Sequence, residues 1–275
     1  MLRISSPLPG FGLGMGLLLA GLSLVVLLPL AALLGEGIAM GPAALAGHLA
    51  SPRVLSALAL SFRAALIASA FNLVFGLALA WVLTRYRFPG RRLIDAAVDL
   101  PFALPTAVAG IALTALYAPN GIFGQALAPL GITVAYTEIG IWLALVFVGL
   151  PFVVRTVQPV IDEIDRECEE ASATLGASRA RTLRRVVLPV LTPSLLTGFA
   201  LAIARSVGEF GSVIFIAGNL PGKTEIAPLL IVIRLEEYDY AGAAAIGLAM
   251  LGISFSMLLL INATQVWNRR RIGHV

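Results

Sequence analysis

Six continuously apolar stretches dominate the chain, at residues 13–34, 64–83, 100–117, 139–154, 196–217 and 241–266. A hydrocarbon core about 30 Å thick is crossed by roughly 20 apolar residues in a helix, so this pattern predicts about six transmembrane helices. The runs do not alternate apolar and polar with period two, which argues for helices over barrel strands. The fourth run is the shortest and ends at Arg155, whose side chain is expected to snorkel to the interface. The first run is too long for the apolar region of a secretory leader and no good small-residue cleavage site follows it, so it is read as a span. The expectation is an all-α, polytopic membrane protein.

Composition agrees: 59% of residues are hydrophobic and only 12% charged, and the mean hydropathy is +0.95. Charge adds an orientation. With the N-terminus inside, fourteen of the nineteen Lys and Arg residues fall on the cytoplasmic side, among them Arg3, Arg85, Arg87, Arg91, Arg92, Arg155 and 269–271. Arg53, Lys223 and Arg234 remain outside, and Arg63 and Arg205 lie in or at the edge of spans. Both termini are therefore expected in the cytoplasm of a bacterial inner membrane, with lipid as a partner and no nucleic acid.

One motif competes with this reading. Residues 217–224, AGNLPGKT, have the spacing of a phosphate-binding loop. The segment falls outside, where ATP is scarce, Pro221 lacks an N–H group, and no strand precedes it, so a polar turn at a helix end is the better reading. Gly10, Gly12, Gly14 and Gly16 enter a membrane helix, where small residues permit close packing, and are not a dinucleotide fingerprint. Cys168 is the single cysteine, and His48 and His274 fall near opposite membrane faces. No metal site, cofactor or catalytic constellation is expected, and intrinsic enzyme activity is not.

Residues 162–196 are too charged to cross the membrane and too patterned for a linker. Acidic Asp162 to Glu170 leads into the small residues Ala171, Ser172 and Ala173, and Gly176 is placed as a helix terminus because it tolerates positive φ. Arg179, Arg181, Arg184 and Arg185 form a basic cluster suited to anionic headgroups. Glu170, Ala171, Ser172, Gly176, Val186, Leu188 and Pro189 match the spacing of Glu-Ala-Ala, three residues, Gly, nine residues, Ile, one residue, Leu-Pro. On these residues the loop resembles the coupling loop of ATP-binding-cassette importer permeases, with Ser and Val as departures. The resemblance implies a type I permease fold and a docking helix, presenting Glu169 and Glu170, that fits a cleft on a separate ATPase. The plain alternative is an amphipathic hairpin without a partner.

The segments GEFGSVIFIAGN and KTEIAPLLIVIRLEEYDY within residues 204–240 resemble the T-type permease of sulfate and thiosulfate importers, and the similarity runs from about 56 to 266. It implies a second permease of W type, two ATP-binding subunits and a periplasmic sulfate-binding protein. Molybdate permeases share GEFG and are the nearest alternative; a secondary transporter is a more remote one. The resemblance divides the chain into an N-terminal helix and loop (1–56), a permease core (57–268, coupling loop 162–194) and a basic tail (269–275). Arg205 and Glu209, four apart in the fifth run, are the well-buried ionisable pair expected in the spans. With Ser206, Phe210 and Ser212 they are candidates for the pathway or its gate, or else a self-neutralising structural pair. Pro101 and Pro105 are placed to open backbone groups near the third run.

Overall fold

The computed structural model describes the backbone of residues 11–272 and the side chains of 11–265. Arg3, Gly10, His274 and the side chains of 269–271 lie outside the described residues.

Helix α1 (Phe11–Leu22) passes through a π turn (Ser23–Leu27) into α2 (Leu28–Met40), together one apolar rod, and α3 (Pro42–Leu49) follows after Gly41. Next come α4 (Pro52–Arg85), α5 (Arg91–Val98), α6 (Leu100–Ala103), α7 (Thr106–Tyr117) and α8 (Ile122–Leu127). Beyond them lie α9 (Glu138–Glu163), α10 (Arg166–Thr174), α11 (Arg179–Thr182), a π turn (Leu183–Val187) and α12 (Leu188–Val207). Helices α13 (Val213–Ile216), α14 (Ala227–Glu236) and α15 (Tyr240–Ile272) complete the described chain. Five rods are long and apolar enough to cross a membrane, and a bent pair, Thr106–Tyr117 with Ile122–Leu130 at 41°, makes up to six.

The pair bends at residues 118–121, where Ala118 is extended (φ −59°, ψ 158°) ahead of Pro119. The third run is also interrupted upstream. Leu104 is held extended (φ −88°, ψ 136°) ahead of Pro105, the conformation that a following proline imposes, so α6 stops and α7 restarts. The fourth run is longer than its apolar core: α9 continues to Glu163, and Arg155 lies inside it. That arginine is held by Asp95 and Asp99 of the α5–α6 segment, a counter-charge that its own run does not contain. The fifth run shifts toward the N-terminus, since Arg179–Val207 forms one rod and Gly208 ends it ten residues before the expected boundary.

The core is the seam of α4, α9 and α12, filled by Ala64, Ala65, Ala68, Ala144, Val153, Val157 and Ala202, all fully buried. Small residues bring the backbones close. A Cβ on Gly198 of α12 would stand 3.0 Å from the backbone of Val153 in α9, so any larger residue would push the two helices apart by a few tenths of an ångström. The α1–α2 rod buries none of its residues; Gly37 on α2 lies against Leu248 of α15, whereas Gly12, Gly14 and Gly16 meet nothing within 4 Å. The packing expected of Gly12, Gly14 and Gly16 is therefore not made among the described residues.

Candidate functional site

The hairpin at 165–187 is built by its termini. Acidic Glu167 and Glu169 sit in the first turn of α10, where the helix dipole favours them. At the other end Gly176 adopts φ 79°, its N–H donates to Ala173 (2.9 Å), and the Ala177 N–H donates to Ser172 (3.1 Å). That pair of bonds closes the last turn as a Schellman motif, which requires the left-handed conformation glycine tolerates. Ser172 Oγ lies 2.9 Å from Thr182 Oγ1, so this departure from alanine joins α10 to α11.

Glu169 accepts a hydrogen bond from Arg85 (2.9 Å), which also donates to the Ile164 carbonyl and lies over the Trp81 ring. Its carboxylate is thus engaged within the chain, while Glu170, Ala171 and Leu175 remain exposed, Leu175 at 88%. Leu188 and Pro189 open α12 and are half-buried there; they anchor the rod to the bundle and do not extend the exposed surface.

Arg205 and Glu209 do meet, at 2.5 Å, but not along one helical face: α12 ends at Val207 and Glu209 lies in the turn beyond it. The Glu209 side chain is 2% exposed and that of Arg205 33%. Glu209 Oε1 also accepts from both the N–H and the hydroxyl of Ser212 (2.9 Å each), so the carboxylate holds the start of α13. Ser206 is buried and its Oγ has no partner among the described residues; it lines, with Ser61, Glu209 and Val213, a cavity of about 10 Å³, the size of one water. Phe210 packs half-buried on the core cluster around Val213 and Ile216. Gly110 of α7 lies directly on the Ser212 backbone, which fixes this turn against the broken third span.

Residues 217–224 use their own amides. The N–H groups of Lys223, Thr224 and Glu225 all converge on the Leu220 carbonyl, and Thr224 Oγ1 accepts from the Leu220 N–H. An inward-turned set of this kind leaves no phosphate cradle. Two ties missed by sequence reading secure the same end of the bundle: Arg53 grips Glu225 bidentately (2.7 and 2.8 Å), and Ser61 Oγ accepts from the Ala227 N–H. A third lies at the opposite end, where Arg155 binds Asp95, Asp99 and Gln158. Burial pushes the Asp95 carboxyl up, but hydrogen bonds from Arg155 and Gln158 and the charges of Arg155 and Arg91 outweigh it and hold the group below the ordinary carboxylate range.

Residues 72–274 match the family of binding-protein-dependent transport system inner membrane components. The chain belongs to that family. This inner membrane component is 51% identical over 277 residues, 100% of both chains, to the sulfate transport system permease protein CysT of Salmonella typhimurium. It is 50% identical over 268 residues to CysT of Escherichia coli (97% of each), and 47% over 249 residues to that of Synechocystis (90% of this chain, 87% of the relative). Among solved structures it superimposes on a chain of a bacterial alginate ABC transporter in complex with its pentasaccharide-bound periplasmic protein. The TM-score is 0.77 at 16% identity, over 96% of this chain and 95% of the other. At that identity the likeness concerns the fold alone: the permease has the architecture of ABC importer membrane subunits, and it is a multi-pass membrane protein.

Proposed function

We propose that this permease is half of the translocation unit of an ATP-driven importer of sulfate and thiosulfate, without catalysis of its own. The observation that carries the reading is identity of about one half along the whole chain to sulfate transport permeases. A dianion cannot cross hydrocarbon unaided, so a watered path is needed, and six helices surround one poorly. A W-type permease supplies the other half, two copies of an ATPase sit below, and a periplasmic sulfate-binding protein delivers substrate. The distribution of basic residues supports a cytoplasmic position for both termini and the α10–α11 hairpin. There the exposed face of Glu170, Ala171 and Leu175 enters the ATPase cleft, while Glu169, held by Arg85, fixes the hairpin to α4. Arg205, one-third exposed on α12 beside exposed Leu201, Ala204 and Gly208, faces the second permease and the path, and buried Glu209 keeps it aimed. Residues 57–268 form the permease core and the α1–α2 rod is an addition to it.

Expression with its neighbouring subunits in a strain lacking its own sulfate permeases tests this. The expected result is uptake of radiolabelled sulfate that needs the ATPase and is competed by thiosulfate. Uptake of molybdate but not sulfate would move the permease to the molybdate branch, and uptake without an ATPase would make it a secondary transporter.

A further inference from the structure

Where α4 gives way to α5 the chain turns at Gly90 (φ 83°), and a cavity of about 510 Å³ opens, lined by Arg87, Phe88, Gly90, Arg91, Arg92 and Asp95. Its charge is lopsided. Asp95 is the only carboxylate on the wall and is taken by Arg155 at 2.7 Å. Among the described residues Arg87, Arg91 and Arg92 form no ion pair. The start of α5 has no side-chain cap either, so its positive end adds to three guanidiniums that already repel one another. Guanidiniums are the side chains best shaped for the paired oxygens of a tetrahedral oxyanion. The residues beside this lining along the chain are of opposite character: Leu93 is 75% exposed and Tyr86 57%, and Ile94 and Leu100 are exposed as well. An apolar strip beside an arginine pocket is the arrangement of a helix lying in a membrane interface.

We infer that this elbow is a binding site for a tetrahedral oxyanion, with the phosphate of an anionic lipid headgroup as the source that the exposed apolar neighbours favour and free phosphate or sulfate as the other. The cavity holds far more than a bare ion, which suits a headgroup with its glycerol. The site is distinct from the basic cluster Arg179, Arg181, Arg184 and Arg185, which is exposed and lines no part of this cavity.

Native mass spectrometry of the full-length chain in detergent, titrated with phosphatidylglycerol or phosphatidylcholine, tests the inference. The wild type should retain phosphatidylglycerol preferentially, and Arg87→Gln/Arg91→Gln/Arg92→Gln should bind it at least about tenfold more weakly, since each basic residue adds to headgroup attraction. Arg87→Gln/Arg92→Gln alters only exposed side chains, should keep the wild-type melting temperature, and should still lose several-fold. A four-fold Gln variant of the Arg179 cluster should bind as the wild type does. If the free ion is the source, inorganic phosphate will stabilise the delipidated wild type and not the triple variant, with no lipid preference seen. Equal lipid and phosphate binding by wild type and triple variant overturns the site, as does an equal loss in the Arg179-cluster variant. So does a triple variant that keeps its lipid but no longer co-purifies with the ATPase, which would assign the pocket to a protein carboxylate.

Discussion

At the end of the bundle where α4 begins, the chain closes on itself through buried charge. Glu225 is 2% exposed with both oxygens on Arg53, Ser61 binds the start of α14, and Glu209 is shared between Arg205 and Ser212. Where α4 ends, the α10–α11 hairpin stands out from the bundle: α10 buries no residue, and its tethers are the Arg85–Glu169 pair and one hydroxyl contact. The first region pairs its buried charges internally, and Ser206 Oγ is left beside a cavity the size of one water. The second closes the C-terminus of α10 yet leaves Leu175 almost fully bare, which is the condition of a surface made to be covered. Stability resides in the one and, on the proposed reading, response to a partner in the other.

The sharpest way to break this contrast is Arg53→Ala. Glu225 loses both hydrogen bonds and stays buried, so unfolding in detergent should show a loss of about 3–5 kcal/mol. A change below about 1 kcal/mol would mean that water already reaches the outer loop.

Arg205→Ala should cost somewhat less, about 2–4 kcal/mol, because Ser212 continues to donate two bonds to Glu209. Arg205→Ala/Glu209→Ala should recover only part of that loss, since the buried Ser212 N–H then has no acceptor, whereas Arg205→Ala/Glu209→Gln keeps one and should recover more. Full recovery in the double alanine variant would reduce the pair to charge neutralisation. A well-assembled Arg205→Ala/Glu209→Gln variant that imports sulfate poorly would place Arg205 in the path.

In the hairpin the expected effects are small in stability and large in assembly. Gly176→Val forces a β-branched residue to φ 79° and should cost about 1–3 kcal/mol locally. Membrane insertion should persist while ATPase co-purification and uptake fall; unaltered uptake would remove α10 as the coupling element.

The smallest effect concerns acid. The folded Asp95 carboxyl titrates below its unfolded value, so its contribution is fully present above about pH 4 and is lost as pH falls through the lower folded value. Being partly exposed, the group should add no more than about 1 kcal/mol. Melting scans between pH 3 and pH 6 should show an acid limb that Asp95→Asn flattens; identical limbs would show the Arg155 cluster to be idle.

What the sequence made legible was whatever repeats or lies close along the chain: the apolar runs, the Gly176 terminus, the four-residue spacing of Arg205 and Glu209. Chain breaks were half visible, since Pro101 and Pro105 announced a disturbance but the runs on either side read as one. The long-range ties were not legible. Arg53 and Glu225 are 172 residues apart and Arg155 and Asp99 are 56 apart, and nothing periodic links such positions. Arg155 reads as a snorkelling residue because its counter-ions belong to another run. Glu169 reads as an outward group for the same reason, since Arg85 is 84 residues away.

Helix α4 joins these two regions physically. It runs unbroken for 34 residues, roughly 50 Å at 1.5 Å per residue, with an Arg–Glu clamp at each end: Arg53 on the outer loop and Arg85 on the hairpin. Such a strut cannot yield at one end alone. Tilted by about 10° around its middle, a rod of this length carries each tip roughly 4 Å in opposite directions. Were α4 to turn as one rigid rod, a push delivered to Glu169 would reappear at Glu225 with its sense reversed.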